Sequence, residues 1–178
     1  MPSSWFAKNE RLMQDIAALQ KDIATEPFVF ARELAKNEIA MMPLAIEAAC
    51  FYLHALNWVI ARSAQKHLGK RLYEPTVNRL CEVFPATIRS QDSSGDSGRI
   101  ELRLEKTIRD REFFYAEAQS LLGRDAEDGA SALHLASQLF SALLGSAEAY
   151  TAARMALLRG IDRLKLVERV RAVERLLT

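Results

Sequence analysis

Residues 39–64, IAMMPLAIEAACFYLHALNWVIARSA, limit the fold more than any other stretch of the chain. No Lys or Arg occurs there before Arg62, and the polar interruptions ahead of it are Glu47, His54 and Asn57. At about 3.6 residues per turn, Ala45, Ala49, Tyr52, Leu53, Leu56, Val59 and Ile60 fill one apolar arc. Glu47, Cys50, Phe51, His54, Asn57 and Trp58 fall on the other side. That second side carries aromatics and no lysine, so it is not a solvated face. A helix apolar nearly all round needs neighbours all round, which makes it the centre of an all-α domain. Pro43 is suited to a first helical turn, and Lys66, His67 and Gly69 form a stop signal, so the central helix is predicted over residues 44–68.

The stretch approaches the ~20 residues of a membrane span. Pro43, Glu47, His54 and Asn57 would each be costly in lipid, so a buried core helix and no transmembrane segment are expected. The N-terminus lacks a basic region followed by an apolar one, which predicts no signal peptide. Cys50 and Cys81, the two cysteines, sit in apolar helical surroundings and suggest no disulfide framework. A cytoplasmic protein is expected.

Around this segment the chain reads as a single helical domain over 1–178, a five- to six-helix antiparallel bundle. A first helix ends near Thr25 before Pro27, a second spans residues 28–41 before Pro43, and a further one spans 75–84 before Pro85. QDSSGDSG, residues 91–98, has no side chain able to bury apolar area and predicts a flexible loop. Ile100, Leu102 and Leu104 alternate as in a strand, whereas Ile100, Leu104 and Ile108 keep helical spacing. A helix to Leu122 is favoured, with a small β-hairpin near 86–105 as the alternative; RDAEDG, residues 124–129, then makes a polar turn. A long helix over 130–159 carries a ridge of small residues, Ser137, Ser141, Gly145, Ala149 and Ala153, across which another helix could approach closely. The terminal helix, 161–178, is amphipathic through Ile161, Leu164, Val167, Val170, Val173 and Leu177. From Arg154 onward Lys and Arg exceed Asp and Glu by four, and most of this charge is expected to face solvent.

Candidate chemistry is confined to two polar stripes. Glu47, Cys50 and His54, with Trp58 beside them, share one face of the central helix and offer donors of the kind that line ligand pockets or bind transition metals. His134 and Glu148 belong to a second stripe beside the small-residue ridge, and the two would form one site only if they met. The bland reading of the first stripe is a polar cluster satisfied within the core. Glu33, Glu38, Glu112 and Glu117 read as exposed-face charges.

Phosphate-binding loops, C-x-x-C, H-E-x-x-H and G-x-S-x-G are absent, and no Glu precedes a His by three residues as in bundle di-iron sites. A formal net charge of +1, with no aromatics interleaved in the basic terminal helix, argues against nucleic acid as the main partner. The resulting expectation is a homodimeric interaction or regulatory protein without catalysis of its own, with the 161–178 helix as a partner surface. The alternative is a bundle binding a small molecule, haem or metal through the Glu47/His54 face, with or without catalysis.

Overall fold

The computed structural model describes residues 4–35, 38–65, 67–91, 97–118, 120–123 and 131–177. Among them seven α-helices follow one another: α1 (Ser4–Leu34), α2 (Glu38–Ala61), α3 (Glu74–Gln91), α4 (Ser97–Ala116), α5 (Ala132–Leu144), α6 (Glu148–Leu164) and α7 (Leu166–Leu177). A π-helical turn, Gly69–Tyr73, leads into α3. The fold is all-α. Residues 86–91 and 97–105 are helical, so the hairpin alternative is not what forms. Most of the 91–98 loop and the 124–129 turn lie outside the described residues.

α2 is the central element, contacting α1, α3, α4, α5, α7 and the π turn. Met41–Ala61 is long and apolar enough to cross a membrane, but that window is 72% buried inside the fold. Ala45, Ala49, Tyr52, Leu53 and Leu56 are buried on one side, and Cys50, Phe51 and His54 on the other.

The proline-based boundaries are corrected. Pro27, Pro43 and Pro85 all lie inside helices, and the first break falls after Leu34 instead. A proline removes one i→i−4 bond at a cost of about 3 kcal/mol. Around Pro27 that cost is offset by tight packing, since Ile23, Ala24, Phe30 and Ala31 are all buried. Nor does α2 run to residue 68. Arg62 folds back at its end: the guanidinium lies 3.8 Å from the Trp58 ring centroid, and Nη1 donates to the Trp58 carbonyl at 3.2 Å. A cation that satisfies a terminal carbonyl and complements the helix dipole closes the helix there.

α4 likewise stops at Ala116 rather than near Leu122. The carbonyls of Ser120 and Leu121 accept from Ala132 and Leu133 N–H at 2.9 and 3.0 Å, and Ser131 Oγ accepts from His134 N–H at 3.1 Å. The segment after α4 therefore satisfies otherwise orphaned donors at the start of α5.

The long helix over 130–159 is two helices. Gly145 has φ +65° and closes α5, with its own N–H directed to the Ala142 carbonyl and the Ser146 N–H to the Ser141 carbonyl at 3.2 Å, a Schellman arrangement. The small-residue ridge is thus cut in the middle. The close approach occurs at Gly160, where an added Cβ would lie 2.0 Å from Tyr52 Oη on α2. α6 runs through that glycine and ends at Lys165, which takes the left-handed conformation at φ 48°.

Most of the basic charge of the C-terminal region faces solvent, as expected, with Arg159, Arg163, Lys165, Arg171 and Arg175 exposed, yet three arginines of the region also reach carboxylates of α1. Arg163 forks onto the buried Glu26, Arg169 Nη2 donates to Asp22 at 2.6 Å, and Arg159 pairs with Glu33, all three carboxylates lying on α1. Leu164, Leu166, Val170 and Val173 are buried beneath them.

Candidate functional site

The polar face of α2 meets α4. Glu47, buried to 8% exposure, receives two bonds from Arg111, Nε at 2.6 Å and Nη2 at 2.7 Å. This is the forked carboxylate–guanidinium geometry that lets a charge pair sit inside protein. The bond to Glu47 raises the Arg111 pKa further. One turn along α2, burial pushes the Cys50 thiol well above its ordinary range, reinforced by the Glu47 charge. The thiol is therefore protonated and inert.

His54 comes next. Its ring is 5% exposed, stands 5.2 Å from the Tyr115 ring and 6.0 Å from that of Trp58, and has no hydrogen-bond partner on either nitrogen among the described residues. Burial lowers its pKa to about 4, so the imidazole is neutral at pH 7. Nδ1 lies 4.0 Å from Glu112 Oε2. Glu112 accepts from Tyr73 Oη at 2.7 Å and from Asn57 Nδ2 at 3.4 Å, one donor on each oxygen. Burial raises the Glu112 pKa, and the two donors oppose that rise.

This cluster reaches the surface through Glu112 and Tyr73. Both line an open groove of about 430 Å³ whose other walls are Val77 of α3 and Ile108, Phe113 and Ala116 of α4. Glu105 and Arg109 complete the lining and pair with each other at 3.4 Å. Phe113 is 75% exposed at this edge.

Of the residues singled out from sequence, Glu47, Cys50 and His54 do gather along the α2–α4 seam, with the Trp58 ring 6.0 Å from that of His54 on the same helix. His134 does not join them. Its Nδ1 lies 2.7 Å from Tyr150 Oη, a hydroxyl that Arg154 also reaches at 3.4 Å, so this stripe is a local contact between α5 and α6. Glu148 is exposed in the first turn of α6. No hydrogen bond, ion pair or ring contact links the two stripes among the described residues. Nor is any group of three or more His, Cys, Asp or Glu side chains there arranged to hold a metal ion.

Sequence reasoning missed Tyr73, Arg111, Glu112 and Tyr115. Glu112, expected on an exposed face, is instead half-buried in the seam. One signal was present: the buried stripe Leu104, Ile108, Tyr115 skips one turn between Ile108 and Tyr115, and Arg111 and Glu112 occupy that turn. Charges placed where a core stripe should continue call for partners on the facing helix. Compared with family models, curated proteins and solved structures, the chain matches none.

Proposed function

We propose that this chain is a helical ligand-binding protein that takes a small molecule with an apolar body into the α3–α4 groove. The observation that carries the reading is the continuity between that groove and the buried polar cluster. Glu112 and Tyr73 belong to both, bonded to each other at 2.7 Å. A cavity of about 430 Å³ is of the size that holds small ligands, and its walls are apolar with a few convergent polar groups, the usual composition of a binding site. No catalytic step is assigned; the Cys50 thiol behind the groove is held protonated by burial.

NMR of the isotopically labelled chain titrated with benzyl alcohol tests this. Shifts should concentrate at Tyr73, Val77, Ile108, Phe113 and Ala116, with a dissociation constant on the order of 1 mM for so small a probe. Ala116→Trp should fill the groove and abolish them. Shifts scattered over the surface, or unchanged by that substitution, would remove the groove from consideration.

Self-association without catalysis is the second reading. Phe6 and Met13 stand two turns apart on one side of α1 and are 63% and 65% exposed, which supports α1 as the contact surface. Sedimentation velocity should then show a dimer that Met13→Glu converts to monomer. A monomer at every concentration would end this reading.

A further inference from the structure

Resting on the ligand-binding reading of the groove, we infer that the ligand is a small organic cation, an ammonium or amidinium on an apolar body, with Glu112 as its anchor. Four observations converge on this charge class.

First, the Glu112 carboxylate has no Lys or Arg counterion among the described residues. The neighbouring guanidiniums are committed elsewhere: Arg111 forks onto Glu47, and Arg109 pairs with Glu105 at 3.4 Å. Second, the imidazole behind it is uncharged at pH 7, since burial lowers its pKa to about 4. His54 is 95% buried, its nitrogens have no partner among the described residues, and its Nδ1 is the ring atom 4.0 Å from Oε2.

Third, Glu112 has acceptor capacity left. Tyr73 and Asn57 fill one position on each oxygen, and an ionised carboxylate offers about four. A cationic N–H arriving from the groove would make a charge-assisted bond to a carboxylate already held in place by two donors. Fourth, the remaining walls suit the rest of such a molecule. Val77, Ile108 and Phe113 provide apolar surface, and Phe113 adds an exposed aromatic ring able to receive a cation's flank. An anionic ligand would instead meet the Glu112 carboxylate, and a neutral one would leave Glu112 without a counterion.

Three probes of one shape separate the charge from the fit: benzylamine, benzyl alcohol and benzoate, titrated into the full chain at pH 7.5 by NMR. Benzylamine should bind about tenfold tighter than benzyl alcohol, and benzoate weaker than either. Glu112→Gln should bring benzylamine down to the alcohol's affinity while leaving alcohol binding in place. Glu105→Gln should leave the amine's advantage largely intact, since that carboxylate already has Arg109. Equal affinities for amine and alcohol would overturn the cation inference and leave the groove standing, whereas silence from all three probes would overturn the groove reading itself. An amine preference that survives Glu112→Gln would also overturn the inference. If Glu112→Gln does not fold, the order of the three probes on the unaltered chain, with Glu105→Gln as the control on surface charge, still decides it.

Discussion

Glu47 is accommodated inside a helical core because Arg111 presents Nε and Nη2 to its two carboxylate oxygens. Removing one partner leaves the other charge buried and alone, which costs far more than the pair itself contributes. Arg111→Met should therefore lose about 2–4 kcal/mol in urea unfolding, and the double variant Glu47→Leu/Arg111→Met should regain most of it. His54 makes a second residue-scale prediction. Its pKa is about 4 in the folded chain against an ordinary 6.5, so between those values the unfolded state binds a proton that the folded state refuses. The stabilisation is complete above pH 6.5 and is lost as pH falls toward 4. Glu112, whose pKa is raised, titrates in the opposite sense and offsets part of this. From pH 7.5 to 5 the His54 contribution should fall by about 2 kcal/mol, and His54→Phe should flatten the profile of Tm against pH in that window by the corresponding amount. An unchanged profile would mean that the imidazole is not held neutral.

Two glycines decide where elements end and where they touch, and they do so in opposite ways. Gly145 closes α5 at φ +65°, so Gly145→Ala should cost about 1 kcal/mol through backbone strain alone. Gly160 has ordinary helical geometry, and on propensity alone Gly160→Ala would gain about 1 kcal/mol. The Tyr52 ring overrides this: the new methyl would lie 2.0 Å from Oη and 2.6 Å from Cζ, both inside contact distance. Gly160→Ala should thus destabilise by about 1–3 kcal/mol in thermal unfolding, and Tyr52→Leu in the same chain should relieve the penalty. The same comparison marks how far the sequence was legible. Spacing revealed a stripe of small residues around Gly145, but a glycine at helical spacing looks the same whether it caps a helix or admits a neighbour. The prolines were misleading for a related reason, because local breaking strength cannot be weighed against packing that involves residues far along the chain. For the site, Glu47, Cys50, His54 and Trp58 were readable because they share one helix. Arg111, 64 residues from its partner Glu47, was not, since only the tertiary fold brings α4 to that face.

For the molecule as a whole, the last twelve helical residues are part of the core rather than an appendage to it. α7 contributes Leu166, Val170 and Val173, each 3% exposed or less, and packs on α1 and α2. Its Arg169 pairs with Asp22 on α1, and its Glu174 accepts from the Ala64 N–H just beyond α2 at 2.8 Å. The Arg169–Asp22 pair is only part-buried and contributes little beside the core, since ion pairs near the surface are worth about 0–1 kcal/mol, so the apolar burial sets the scale. Three buried Leu and Val side chains at about 1.5–3 kcal/mol each give roughly 5–9 kcal/mol, comparable to the whole stability of about 5–15 kcal/mol typical of a domain. A chain ending at Lys165 would also uncover the surfaces of α1 and α2 beneath α7. Such a truncation should lose cooperative thermal unfolding and near-ultraviolet circular dichroism while keeping much of its far-ultraviolet helical signal. Were α7 instead a docking arm presented to a partner, the shortened chain would melt cooperatively at an unchanged Tm, and the assignment of this helix to the core would fail.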